Sequence, residues 1–325
     1  MMVIDVIYQT DALSGLKLLA DESIDCIVTS PPYWQLRDYG IEGIQWTDGW
    51  FGQLGLEPTR EAYINHLLLI FDECKRVLKP QGTLWVNLGD TYNNSLKHSL
   101  KPPAQTICKG NNRNFLYGKH HKCRKSGIPQ KSLCNIPGRF ADEMIQRAWI
   151  LRNEIIWHKP SCIPASVKDR FTVDFEKIFF FTKSPKYYFN QQFEPYAEST
   201  FARYERGFNT EGTKNNIYRK QYGAPLGKKK INPKGRNKRT VWRIAAENNR
   251  ELHFASYPTK LIDTPIDAGC PPNGIVLDPF MGSGTTAIVA KRLGRHYIGF
   301  EPNPDYVEIC HRRLERTIFN NDKTE

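Results

Sequence analysis

Long apolar runs are missing from this 325-residue chain: nothing in it approaches the roughly 20 apolar residues in a row that a membrane helix requires. The opening MMVIDVIYQTDALSG lacks the basic start and extended apolar stretch of a secretory signal, so a cytoplasmic protein is expected. Paired Cys-x-x-Cys spacings are missing as well. The eight cysteines are scattered, mostly in apolar contexts, and reduced thiols rather than a disulfide framework follow. Cys108, His120, His121, Cys123 and Cys134 share one stretch, but their spacing fits no paired zinc arrangement, and no metal is expected. There is no internal repeat.

Acidic residues are absent between Asn93 and Gly138, where nine lysines and arginines lie. A second stretch, Ser199 to Arg243, holds thirteen cations against two acids. Since the whole chain carries only +12, the remainder is net acidic. Segregated positive charge of this kind suits a polyanion-binding surface carried on an ordinary enzyme body. The second stretch interleaves its cations with Tyr204, Phe208, Tyr218 and Tyr222, which favours a nucleic-acid contact over a plain linker.

Outside those stretches strand and helix patterns alternate. Short apolar runs predict strands at Ile24–Val28, Thr83–Leu88, Leu151–Trp157, Phe175–Thr182, Ile275–Asp278 and His296–Phe300. Helices are predicted at Thr59–Leu78, with Thr59 as N-cap and KPQG as its stop, and at Arg139–Trp149, Gly284–Leu293 and Pro304–Thr317. The alternation implies an α/β protein with an open, mostly parallel sheet and helices on both faces.

IVLDPFMGSGTTAIVAKRLG (Ile275 to Gly294) reads as strand, glycine turn and helix, a place where backbone can approach a ligand closely. No Walker lysine follows the glycines, which argues against a phosphate-loop enzyme. The next strand ends at Glu301, about 20 residues beyond Asp278, where an acid would reach ribose hydroxyls in a doubly wound sheet. Asp278 and Pro279 inside the loop repel phosphate. A positively charged, phosphate-free sulfonium cofactor therefore suits it better than a dinucleotide. Near the other end, TSPPYW (Thr29 to Trp34) follows the apolar run IDCIV. Two prolines end a strand without starting a helix and leave bare carbonyls beside a hydroxyl and two rings.

These residues resemble the amino-methyltransferases of DNA, which methylate exocyclic amines of cytosine or adenine with S-adenosylmethionine. TSPPYW resembles their catalytic motif, in the serine form commoner in the cytosine-N4 enzymes, and DPFMGSGTT resembles their cofactor loop. HFASYPTKLI, RVLKPQGTLWVNLGD and the block from Leu151 to Phe189 also match recurrent segments of the family. The motif order resembles the permuted β class. The likeness implies a Rossmann-like methyltransferase fold with inserted DNA-recognition segments: a catalytic domain in three parts (1–92, 135–190 and 241–325), a basic insertion (93–134) and a target-recognition region (191–240).

The same resemblance implies roles. Ser30 and the Pro31 carbonyl would orient the target amine within the Ser30, Pro31, Pro32, Tyr33 elbow; Tyr33, with Trp34, would stack on a flipped base, unless those rings are core. Asp11 would contact the cofactor's adenine amine, Asp278, Phe280, Gly282 and Gly284 the methionine part and Glu301 the ribose. His253 and Phe254 would wall the pocket, with Thr29, Pro279, Ser283 and Thr285 beside them. Lys228, Lys229, Lys230, Lys234, Arg236, Lys238 and Arg239 would contact DNA. FTVDFEKI departs from the His-Glu of many relatives, so neither Asp174 nor Glu176 receives a catalytic role. Expected partners are double-stranded DNA and a cognate restriction endonuclease, with the chain a monomer or homodimer. Three alternatives stay open: adenine-N6 methylation, an RNA or protein amide methyltransferase, disfavoured by Ser30, and a non-catalytic DNA-binding subunit.

Overall fold

A computed structural model describes residues 3–93, 127–162, 164–200, 232–247 and 257–321, the last five without side chains. The chain divides into two compact units, Met1–Asn190 with Thr240–Glu325, and Gln191–Arg239.

The first unit contains β1 (Val6–Tyr8), α1 (Ala12–Lys17), β2 (Ile24–Thr29), β3 (Ile44–Gln45), β4 (Phe51–Gly52), α2 (Arg60–Val77), β5 (Leu78–Leu88), α3 (Ile136–Gln146), β6 (Ile150–His158) and β7 (Phe175–Thr182). After β8 (Phe193–Glu194) and β9 (Arg236–Asn237), which belong to the second unit, it resumes with β10 (Val241–Arg243), α4 (Thr259–Gly269), β11 (Ile275–Asp278), α5 (Thr285–Arg292), β12 (His296–Phe300) and α6 (Pro304–Asn321). Eight strands form one sheet in the order β1-β12-β11-β2-β5-β7-β6-β10. Only β7 runs against its neighbours; the other pairings are parallel.

Strand periodicity separates two cores. Ile24 and Ile27 of β2, Leu84, Val86 and Leu88 of β5, and Phe179 and Phe181 of β7 face α1, α2 and α3. Their alternates Cys26, Val28, Trp85, Ile178 and Phe180 face α4, α5 and α6. Burial on both faces explains why all six residues of β2 are buried and why its apolar residues do not alternate with exposed polar ones; its one charge, Asp25, pairs with Lys79. Across β5 and β7, Trp85 stacks on Phe180 with centroids 4.0 Å apart.

Several elements depart from expectation. α2 starts as predicted, with Thr59 Oγ1 accepting from the Ala62 N–H, but KPQG is not a turn after it. Strand β5 begins directly at Leu78, and its pairing jumps from Ile24↔Leu78 to Cys26↔Thr83, so residues 79–82 bulge from the ladder. Pro80, which lacks an N–H, sits where no ladder donor is needed. α3 begins three residues earlier than predicted because Pro137 suits a first helical turn. β1, α1 and β10 are too short to show a period, and Pro265 inside α4 breaks the helical pattern in sequence.

In the second unit β8 and β9 pair antiparallel, and Glu194 accepts from Arg236 Nε at 2.9 Å and Arg239 Nε at 2.5 Å. Two of the cations expected to contact DNA thus share one carboxylate, while Lys234 is exposed and Lys238 half-buried. Lys228, Lys229 and Lys230 lie outside the described residues. Among the described residues no helix is long and apolar enough to cross a membrane.

Candidate active site

Parallel strands bring their carboxyl ends to one edge, and ligands of open α/β sheets bind in the crevice outside that edge. Thr29, Asp278 and Phe300 end β2, β11 and β12 there; Asn87 near the end of β5, Lys159 after β6 and Glu176 at the start of the reversed β7 reach the same edge.

At the elbow, the Tyr63 hydroxyl donates to the Pro32 carbonyl at 2.7 Å. No donor among the described residues reaches the Pro31 carbonyl. Tyr33 donates from its hydroxyl to Glu176 Oε2 at 2.7 Å and stands 3.2 Å from Asn87 Oδ1. A side chain at Gly89 would collide with the Tyr33 ring, so glycine is required for the ring to lie against that backbone. Burial holds the Tyr33 hydroxyl well above its ordinary pKa, the Glu176 charge raises it further, and a hydrogen bond from Ser30 opposes both. Trp34 does not serve as a stacking surface: its ring is 3% exposed and its Nε1–H donates to the Glu57 carbonyl at 2.9 Å. Trp34 does not line the cavity, and the chain turns directly after it, with Gln35 at φ +53°.

The glycine loop behaves differently from expectation at its acid. Asp278 is fully buried, and its carboxylate accepts from Thr29 Oγ1 at 2.6 Å, Phe280 N–H at 3.0 Å, Tyr257 hydroxyl at 2.9 Å and Thr286 Oγ1 at 2.5 Å. Burial raises its pKa and the four donors oppose the rise. Asp278 and Thr29 therefore tie β11 to β2 behind the cavity wall; with buried Pro279 and with Gly284 they do not line it. Gly284 has φ +84°, and a Cβ there would meet Cys310 Sγ of α6 at 3.0 Å, so its lack of a side chain serves helix packing. Glu301 is the acid that does face the cavity. Its two oxygens accept from the Gly282 and Asn303 N–H groups, each at 2.9 Å, and burial pushes its pKa up to about 7.

One cavity of about 280 Å³ gathers Asp11, Ser30, Pro31, Pro32, Tyr33, Phe280, Gly282, Ser283, Thr285 and Glu301 from the two ends of the sequence. Asp11 caps α1 through the Ser14 N–H. The cavity also contains residues that the sequence did not reveal: Asn87, Trp157, Lys159, Glu176, Arg37, Tyr39 and Tyr306. Glu176, assigned no role from sequence, joins the Tyr33 hydroxyl to Lys159 Nζ, which lies 4.2 Å above the Trp157 ring. Neither Glu176 nor Lys159 carries a local signal in sequence; Glu176 stands among other charges, Asp174 and Lys177. Among the described residues no group of three His, Cys, Asp or Glu side chains could hold a metal. His253, Phe254, Cys108, His120, His121 and Cys123 lie outside them, and Cys134 is buried.

A family described as DNA methylase, the N6/N4 methyltransferases, matches residues 24–312. The Type II methyltransferase M.Cfr9I of Citrobacter freundii is 36% identical over 313 residues, covering 95% of this chain and 87% of that one. The Type II methyltransferase M.SmaI of Serratia marcescens is 35% identical over 319 residues, covering 94% and 89%. Among solved structures, the PvuII DNA methyltransferase (cytosine-N4-specific) superposes with a TM-score of 0.58 at 20% identity, over 95% of this chain and 85% of that one. A DNA modification methylase from Thermus thermophilus, complexed with S-adenosyl-L-methionine, gives 0.54 at 19% identity over 96% and 93%. These two likenesses concern the fold.

Proposed function

Because the chain belongs to the N6/N4 DNA methylase family, we propose that it transfers a methyl group from S-adenosylmethionine to the N4 amine of cytosine within a specific word of duplex DNA. One observation carries the proposal: Ser30, Pro31 and Tyr33 share a single cavity with Gly282, Ser283 and Glu301.

The residues fit the methyl donor. Glu301 keeps lone pairs beyond those engaged by Gly282 and Asn303 and can accept from ribose hydroxyls, and Asp11 Oδ2 can accept from an amine. The rings of Phe280, Tyr39 and Tyr306 supply apolar wall. When bound, S-adenosylmethionine supplies an electrophilic methyl on a sulfonium.

The chain's own groups act on the amine. An exocyclic base amine is a poor nucleophile, because its lone pair is conjugated into the ring. Ser30 Oγ and the Pro31 carbonyl, which has no other donor among the described residues, can accept its two hydrogens and draw the nitrogen toward a pyramidal shape. Serine is too weak a base to take the proton at pH 7, so Ser30 orients, and the proton leaves to solvent or phosphate. The base reaches the cavity only by leaving the duplex stack, and Tyr33 offers the face it lies on.

Cytosine is favoured over adenine by the serine form of the elbow and by Lys159. Beside its amine, cytosine carries two acceptors, N3 and O2, whereas adenine carries N1 and then a C–H. Lys159 is donor-only and lines the same cavity. A cognate restriction endonuclease for the same word is the partner this function implies; the chain acts in the cytoplasm as a monomer or homodimer.

Duplex DNA methylated by the enzyme, digested to nucleosides and separated by mass spectrometry, should contain N4-methylcytosine. N6-methyladenine alone would replace the proposal by its adenine alternative.

A further inference from the structure

The connection between β6 and β7 leaves the cavity at Lys159 and returns to it at Glu176, and the Lys159 N–H donates to the Asp174 carbonyl at 2.7 Å, closing its base. The described residues between them are an excursion from the rim of the cavity. Within it Val167 is 41% exposed, Phe171 95%, Val173 45% and, at its return, Phe175 41%. A phenylalanine this exposed forgoes nearly all the stabilisation that burying its ring would bring. Single exposed apolar residues are ordinary, but four in nine positions, on a loop that starts and ends at the cavity, are more than scattered ones.

The excursion is held in place at several points. Lys131 pairs with Asp169 at 2.6 Å, the Arg170 guanidinium lies 3.7 Å above the Tyr92 ring, and His158 Nε2 stands 3.4 Å from Asp174 Oδ2. Phe171 follows directly on Arg170, so the ring is presented from an anchored backbone. Lys168, Arg170 and nearby Lys131 outnumber Asp169 and Asp174 by one among the charges beside it, a balance that does not repel a polyanion.

We propose that Phe171 is a wedge that enters the base stack of duplex DNA and occupies the space vacated by the flipped target. Apolar side chains inserted between base steps are a known means of holding a duplex unstacked, and a ring on an anchored backbone meets the stack with less of the loop left to order. It is carried on a loop whose two ends, Lys159 and Glu176, line the cavity that would receive the extruded base. The proposal rests on duplex DNA being the substrate, whichever amine is methylated.

The test compares two duplexes carrying the recognised word, one with the target paired and one with it facing an abasic site, where no partner has to be displaced. Phe171→Ala should lower kcat/KM on the paired duplex by about tenfold to a hundredfold, the rate equivalent of one stacked base. On the abasic duplex it should stay within about twofold of the native enzyme. Phe171→Trp should retain activity on both, and cofactor affinity by calorimetry should be unchanged, reporting an intact fold. Equal loss on the two duplexes, or loss on neither, overturns the wedge. So does a variant altered only in sedimentation, which would assign the patch to a second copy of the chain. Counting transferred methyl groups keeps this result independent of whether cytosine or adenine receives them.

Discussion

Glu301 should make cofactor binding depend on pH near neutrality. Its carboxyl is 8% exposed, and burial raises its pKa from 4.5 to about 7, with the Gly282 and Asn303 N–H groups acting against the rise and the Asp278 charge adding to it. Ribose hydroxyls donating to the carboxylate, as proposed above, would favour its ionised form, lower its pKa on binding and release a proton. Affinity for S-adenosylmethionine is therefore full above pH 7 and weakens as pH falls through it, by about tenfold between pH 8 and pH 6. In the ligand-free chain the sign is the opposite one. The contribution of Glu301 to stability is fully present below 4.5 and is lost as pH rises through 7, a change of about 3 kcal/mol. Calorimetric titration in buffers of different ionisation enthalpy reads both the affinity and the proton count. Glu301→Gln should bind more weakly at pH 8 and show no slope. An unsloped native enzyme, or the same slope in Glu301→Gln, would refute the assignment of this carboxyl to the ribose.

Ser30→Ala should lower kcat by about a hundredfold or more, the scale of losing one oriented hydrogen-bonding group at a reacting centre, with cofactor affinity unchanged by calorimetry. Asp278→Ala leaves Thr29, Tyr257 and Thr286 hydroxyls without their buried acceptor and should cost about 3 kcal/mol in urea unfolding. A loss of cofactor affinity with stability intact would instead return Asp278 to the cavity wall. Lys159→Met keeps the length of the stem over Trp157 but removes the donor and the partner of Glu176; it should lower kcat/KM on DNA by about tenfold and leave cofactor affinity unaltered.

The parts of the site that the sequence displayed are those in which chemistry and backbone geometry coincide. TSPPYW and the glycine loop must interrupt their strands to do anything, and interruptions by proline and glycine are visible in one dimension. Asp278 misled because an acid inside such a loop has the same appearance whether it faces a ligand or three hydroxyls from other segments. The hydroxyls of Thr29 and Tyr257 that decide the matter lie far from it in sequence, on β2 and before α4. Trp34 misled for a related reason: the Glu57 carbonyl that holds its ring in the core lies 23 residues away in sequence. Glu176 and Lys159 carry no local signature at all. They meet because β7 inserts in reverse between β5 and β6, and only the sheet order states that.

That order also explains why the hydroxyl belongs at the end of β2 and nowhere else. On one side of β2 stand β11, β12 and β1, whose carboxyl ends lead to Gly282, Glu301 and Asp11. On the other stand β5, β7 and β6, which bring Asn87, Glu176 and Lys159. The first group offers carboxylate acceptors, the buried Glu301 and the half-buried Asp11, proposed above for ribose and amine; the second offers a donor-only cation in an ion pair, proposed for the edge of a base. A transfer between two bound molecules requires the orienting acceptor at their boundary, and Ser30 follows the strand that separates the two groups. The bond from Thr29 to Asp278, buried and 2.6 Å long, adds to the parallel ladder between β2 and β11 and ties their ends together one residue before Ser30. Thr29→Val, which keeps the shape and removes the hydroxyl, should therefore slow methyl transfer more than it weakens the binding of either substrate; the comparison of single-turnover rate with the two dissociation constants decides it.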